Sequence, residues 1–400
     1  MGCRLRHPCG PSKPGGMSPE AILTAAEPRA AQRAIRLVFL ANGTIFAAWA
    51  PLVPVVRERL GLAEATLGLI LLALGAGGIL AMPLAGGFVE RHGSRTVAVT
   101  AGLGFALMLP VLPLAPSGPL LAGALFLFGA TGGLMDVSMN AQAVAVEAHG
   151  RRPIMSSIHG QFSLGGLLGA GLATALLALG LSPVLTALSV AAGGALLLVA
   201  QSPALLPRSA DRPGEGHAFT LPRGPVVGLG LLAVMALMAE GSMIDWSGIF
   251  LAQERGQDLR LAGIGFAAFS VAMAVARLLG DALNQHLGPV ALLRGGALLA
   301  AAGFLGAALL PWAWAALAGF VLIGLGLANA VPLLFSAAGR LPGIAPGAAI
   351  AAVATLGYSG LLGGPALIGF VAQAISLPVA LGCVGLLLLG VAAAAGQVRR

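Results

Sequence analysis

The chain has 400 residues, of which 58% are hydrophobic and only 9% charged, and its mean hydropathy is +0.95. Ordinary soluble domains carry about 25% charged residues, so no water-soluble fold could hide this much apolar surface. The formal charge of +8 does not mark a nucleic-acid partner, because the cations sit in short segments between apolar runs instead of lining one face.

Residues 1–33 form a polar arm that holds two of the three cysteines, Cys3 and Cys9. No apolar core precedes the first long run, so neither a cleavable signal peptide nor a lipoprotein signal is expected there, and Met17 is an alternative start. A bilayer core of about 30 Å needs about 20 apolar residues per helix, and runs of that size then recur between polar or Pro/Gly breaks. Twelve are expected, at 35–56, 66–89, 96–115, 118–144, 155–179, 182–202, 224–252, 261–284, 290–310, 312–338, 347–373 and 376–396. Together they predict an all-α integral membrane protein.

Arginine and lysine placement sets the orientation. With both termini in the cytoplasm, 17 of the 22 cationic residues lie inside, which satisfies the positive-inside rule; the inverse topology fails it. Residues 203–223, rich in Pro and charge, cannot span lipid and are expected to form a cytoplasmic linker between two six-helix bundles, 34–202 and 224–400.

The halves resemble each other at an offset of about 195. Trp49 and Trp246 close similar first helices, and the fifth spans share a GxxxG, Gly165…Gly169 and Gly360…Gly364, which suits close helix crossing. A parallel repeat of this kind places a solute site between the halves near the bilayer midplane.

The loop after span 2, Gly86-Gly87-Phe88-Val89-Glu90-Arg91-His92-Gly93-Ser94-Arg95, resembles the G-x-x-x-D-R-x-G-x-R motif of the major facilitator superfamily, with Glu90 in place of Asp. Its counterpart around Arg277, Asp281 and Gly288 is degraded. Met135 to Gln142, His159-Gly160 and Ala239 to Ser247 are similar to a bacterial subgroup of inner-membrane facilitators, and more distantly to fucose-permease-like sugar transporters. Those carry carboxylates in spans 1 and 4; here span 4 has Asp136 and span 1 has none. The resemblance implies the major facilitator fold, twelve transmembrane helices in two pseudo-symmetric bundles, and transport by alternating access. The loop has a physical reading too: Glu90 at the end of span 2 can face the N-terminus of span 11, whose unpaired N–H groups favour an anion, while Arg91 and Arg95 pair locally or meet lipid phosphate. Gly86, Glu90, Arg91, Gly93 and Arg95, with Arg277 and Asp281 in the second half, are therefore candidates for a gate that holds the halves together on the inner side in one state and releases in the other; otherwise these arginines serve only topology.

Ionisable groups inside a bilayer are costly and so are functional candidates. Glu240 falls near the middle of span 7, and Asp136 about one turn to the inner side of the middle of span 4, with Asn140 one turn further on the same face. Both acids are candidates for proton coupling, or each locks two helices by a hydrogen bond. Arg277 and Asp281, spaced i, i+4 in span 8, are expected to pair with each other. His159 is a candidate proton relay or substrate donor, since imidazole titrates near neutrality, or else bonds a neighbouring backbone group. Trp49, Trp246 and Tyr358 are candidates to stack on a ligand ring or to pack, and Asn42 and Asn329 are uncharged polar candidates.

The single lysine, Lys13, leaves no GxxxxGK[ST] phosphate loop, so an intrinsic ATP-driven pump is not expected. No HExxH zinc motif, GxSxG elbow or His/Cys ligand cluster is present, which argues against a membrane enzyme, a metal site or a bound cofactor. The expectation is a monomeric multi-pass protein of the bacterial inner membrane that moves a small polar or amphipathic solute, its energy drawn from a proton gradient if it is coupled at all. Efflux of drug-like or metabolite molecules, and a transporter-like sensor that binds without moving its solute, are the alternatives.

Overall fold

The computed structural model describes residues 27–62, 64–150, 152–211, 224–257 and 263–399. Most of the N-terminal arm and the second part of the linker lie outside these residues. Fourteen α-helices follow one another: α1 (Glu27–Ala47), α2 (Leu52–Leu60), α3 (Glu64–His92), α4 (Ser94–Val111), α5 (Gly118–Gly150), α6 (Met155–Ala178), α7 (Pro183–Gln201), α8 (Pro225–Ile249), α9 (Gly263–Leu287), α10 (Pro289–Leu309), α11 (Ala313–Leu327), α12 (Ala330–Gly339), α13 (Pro346–Ala374) and α14 (Leu377–Ala394). Among the described residues no strand is present. Eleven segments, with α11 and α12 joined into one, are long and apolar enough to cross a bilayer. The first crossing, α1, falls outside that set because Arg29, Arg33 and Arg36 fill its first half. Large side chains such as Leu72, Leu80 and Phe370 stay exposed on the outer surface of the bundle, as contact with hydrocarbon allows.

Two spans depart from a single straight helix, and proline explains both. The first was expected at 35–56; instead α1 stops at Ala47 and α2 begins at Leu52. Pro51 has no N–H to give the Ala47 carbonyl, which turns to the N–H of Ala50 at 3.2 Å, and the chain leaves the helix there. Span 10 is broken between α11 and α12. Pro332 leaves the carbonyl of Ala328 without its intrahelical donor, and a side chain from α9 takes that place.

Helices α1 to α7 pack among themselves, as do α8 to α14; between the two sets the principal contacts run along α3 with α13 and along α6 with α9. Within each set, parallel crossings mediated by glycine recur. Gly165 and Gly169 of α6 lie on the backbone of Leu40 and Thr44 in α1, and Gly360 and Gly364 of α13 lie on Val234 and Met238 in α8. Gly129 of α5 meets Leu74 of α3 just as Gly324 of α11 meets Phe269 of α9. The turn glycines repeat in the same way. Gly93 (φ 85°) and Gly288 (φ 77°), 195 residues apart, start α4 and α10 in a left-handed conformation that a side chain would strain. The sequence repeat is thus a repeat of contacts, in which small residues allow backbones to touch where lipid offers no hydrophobic drive.

Gly129→Ala should therefore lower the thermal stability of the detergent-purified protein by about 1–3 kcal/mol through overpacking. Gly123→Ala on the same helix, where nothing lies within 4 Å of the new methyl, should be neutral or slightly stabilising in the same melt.

Candidate functional site

The polar residues inside the bundle gather where the two sets of helices meet. Arg277 of α9 is the hub. Its Nη2 donates to both oxygens of Glu240 at 3.3 Å, its Nε to the free Ala328 carbonyl at 3.2 Å, and its Nη1 to Ser163 Oγ of α6 at 3.1 Å. One guanidinium so binds α8, the break between α11 and α12, and a helix of the opposite set, a reach that its planar fork of five donors permits. The expected pairing of Arg277 with Asp281 does not occur. Asp281 accepts instead from the backbone N–H groups of Ser156 (3.0 Å) and Ser157 (3.1 Å) at the start of α6. Helix-terminal N–H groups satisfy a carboxylate without a cation, which frees Arg277 for Glu240.

That start of α6 is gripped from both sides. Glu147 of α5 accepts from the N–H groups of Ile154 (3.0 Å) and Met155 (3.3 Å), so the four unpaired N–H groups of the first turn all end on two carboxylates, one from each set of helices. Glu147 also accepts from Ser336 Oγ of α12 and from Arg340 at 3.4 Å. Glu147, Ser336 and Arg340 carry no periodic or motif signal, and the sequence reading missed them. Every hydrogen bond between the two sets, among the described residues, lies between mid-bundle and the end that bears the linker. The two sets are held together at that end, while the Glu240 side chain keeps 21% of its surface exposed.

Asp136, Asn140 and His159 form a second group. Asn140 Nδ2 donates to the Asp136 carbonyl at 2.8 Å and to its Oδ1 at 3.3 Å; Asn140 Oδ1 lies 3.2 Å from His159 Nε2. The imidazole is flanked by Phe39 and Phe335, with centroids at 5.3 and 6.1 Å. Tyr358 of α13 stands within electrostatic reach of Asp136, Glu240 and Arg277. The other candidates are elsewhere. Asn42 donates to Met139 Sδ at 3.2 Å, and the Asn329 amide oxygen rests against Gly280 beside Ser156. Trp49 lies in the turn between α1 and α2, and Trp246 packs near Gly369 of α13; both indole N–H groups are buried without an acceptor.

The loop motif behaves differently from its sequence reading. Gly86 packs against Ala348 at the start of α13, and Glu90 lines a cavity of about 730 Å³ together with Ala345, Pro346 and Gly347, yet its side chain makes no hydrogen bond to that helix. Pro346 heads α13 and offers no N–H. Arg91 is exposed, and neither it nor Arg95 forms an ion pair among the described residues. The anion that docks at the loop comes from the linker. Asp211 accepts from the backbone N–H of Ser94 at 2.8 Å and from its hydroxyl at 2.6 Å, Gln142 donates to that hydroxyl at 3.0 Å, and Arg208 donates to the Glu90 carbonyl at 3.0 Å. Burial pushes the Asp211 carboxyl above its ordinary range, and the bonds from Ser94 with the charge of Arg208 draw it back down.

These features define a class: a polytopic membrane transporter whose two helical sets enclose a polar centre and are latched at one end. The profile of the Major Facilitator Superfamily matches residues 36–365, and the chain belongs to that family, which comprises transporters rather than enzymes. An uncharacterized MFS-type transporter of Yersinia pestis is 45% identical over 96% of this chain and 100% of its own length. The membrane protein MosC of Rhizobium meliloti is 34% identical over 86% of this chain and 84% of its own. Among solved structures, the fucose:proton symporter FucP of E. coli superposes with a TM-score of 0.76 at 16% identity over 92% of this chain and 98% of that one, and the human organic anion transporter MFSD10 with 0.76 at 19% over 92% and 99%. At such identities the likeness is one of fold.

Two substitutions check the site. Arg277→Ala strands Glu240 and should destabilise the purified protein by about 3–5 kcal/mol, with Glu240→Gln in the same chain restoring part of the loss. Asp211→Ala removes the cap on α4 and should cost about 1–2 kcal/mol in the same thermal melt.

Proposed function

We propose that the chain is a secondary transporter of the bacterial inner membrane, with both termini and the linker in the cytoplasm, that moves a small solute by alternating access of one six-helix bundle, 34–202, against the other, 224–400. The observation that carries this reading is the double grip on α6. Two carboxylates from opposite bundles divide one set of helix-terminal N–H groups, and the Asp281 half of that grip, together with the bonds from Ser336 and Arg340 to Glu147, must let go for the bundles to part on the linker side. Formation and release of such a contact is a two-state element, which a transport cycle requires. The arginine and lysine bias supports the orientation, and the FucP fold, that of a fucose:proton symporter, supports solute movement driven by a gradient.

The solute would bind beside Asp136, Asn140, His159, Glu240 and Tyr358, where side chains of both bundles meet. The bonds that join the bundles at the linker end support reading the described state as closed on that side. Loss of two charge-assisted bonds through Asp281→Asn should shift the balance toward the inward-open state about ten- to a hundred-fold. The readout is the maleimide labelling rate of Val144→Cys, a position packed against Gly339 of the other bundle, in a background without Cys3, Cys9 and Cys383. Faster labelling from the cytoplasmic face in Asp281→Asn is expected; equal rates in both backgrounds, or labelling from the opposite face, would overturn the gate.

A further inference from the structure

The two acids at the centre of the bundle are in unlike situations. Glu240 has its countercharge in Arg277, held by both carboxylate oxygens. Asp136 has none. One of its oxygens receives a long bond from the neutral amide of Asn140, and the other, Oδ2, is buried with no partner. Neither ion pair described inside the bundle includes it. The helices packed against α5 supply no remedy. Helix α6 brings His159, already bonded to Asn140, and α13 brings the phenol of Tyr358; α1 brings Arg36, which donates to Ser157 Oγ at 3.3 Å, α3 and α4 place their charged residues near their ends, and α12 has none. Arg277 of α9 is committed to Glu240, Ser163 and the Ala328 carbonyl.

A carboxylate shielded from water and left without a cation is strongly unfavourable, so the position calls for a positive counterpart from outside the chain. Two kinds exist, a proton and a cationic group on the solute. A neutral polyol could donate a hydrogen bond to Oδ2 and still leave the charge uncompensated. An anionic solute would meet Asp136 with no free arginine to receive it.

We propose that Asp136 is the recognition point for a solute that carries an organic cation, a protonated amine or a quaternary centre, and that this cation and a proton occupy the carboxyl in turn. This rests on the alternating-access reading above and adds to it the substrate class and the sense of coupling. Binding replaces the O–H proton of the Asp136 carboxylic acid by the solute cation and releases that proton to solvent, so solute and proton cross in opposite directions, one for one.

The sign of the proton change tests the idea. The full chain, purified in detergent in weakly buffered solution with a pH indicator, is titrated with phenethylamine, with tetraphenylphosphonium and with the neutral phenethyl alcohol. Tetraphenylphosphonium has no proton of its own, so any proton it releases comes from the protein. Release of about one proton per cation bound is expected, as charge balance requires, and none with the alcohol. Asp136→Asn should abolish release and weaken cation binding about ten- to a hundred-fold, the loss of one charge-assisted contact. Asp136→Glu should keep release at lower affinity, which guards against a variant that merely fails to fold, and Asp245→Asn, exposed on α8, should behave as the parent. No release from the parent chain with either cation, release that persists in Asp136→Asn, or proton uptake on binding the alcohol would each overturn the proposal. Counterflow of the alcohol in proteoliposomes without cation binding would sink this inference and leave alternating access standing; cation-driven proton release without any counterflow would do the reverse.

Discussion

A single buried arginine ties the centre of this protein together. Arg277 meets a carboxylate on α8, a carbonyl freed by Pro332 and a hydroxyl on α6, and each contact answers a debt that the membrane environment creates. An unpaired acid, an unpaired carbonyl and an unpaired guanidinium would each be expensive in a medium that has little water to lend. Combined, they cancel. The kink in span 10, the tie between α8 and α9, and the mid-bundle bond to the opposite set of helices are therefore one arrangement, and none of the three could be altered without exposing the other two.

Around this hub the architecture divides labour between apolar and polar contacts. Glycine-mediated crossings bind helices within each set and use backbone proximity, which does not depend on protonation or solute. The contacts between the sets include the Asp281 grip on α6 and the Glu147–Arg340 pair, which depend on charge. Permanent contacts are thus built from shape and breakable ones from electrostatics. Such a division suits a molecule of the Major Facilitator Superfamily, whose halves must each stay intact while the boundary between them is remade.

Much of this was legible in the sequence. Hydropathy located the spans, and the turn glycines and GxxxG pairs carried the 195-residue repeat into real contacts, because those signals are local and periodic. The acids Asp136 and Glu240 stood out since charge in a bilayer is conspicuous by itself. Partners were harder. The i, i+4 rule paired Arg277 with Asp281 because it sees only one helix, whereas Glu240 lies 37 residues away and the donors to Asp281 lie 124 and 125 away. Likewise Glu90 stood in the acidic position of the loop motif, in place of Asp, but Pro346 removed an N–H it would have sought, and the carboxylate that does cap the loop, Asp211, sits 117 residues from Ser94 in a stretch read only as a linker. Proline and helix-terminal N–H groups decided these outcomes, and their effect depends on which elements the fold brings face to face.

The docking of Asp211 and Arg208 onto the loop between α3 and α4 has a mechanical corollary. The leash between the bundles does not begin where α7 ends; it begins at the fastened Asp211, and only residues 212–224 remain to bridge to α8. Thirteen residues can extend to about 43–47 Å, well beyond the width of several helices side by side. With residues 203–211 docked on the first bundle, the length of the remaining thirteen, and not that of the whole linker, sets the farthest that α8 can stand from the fastened point.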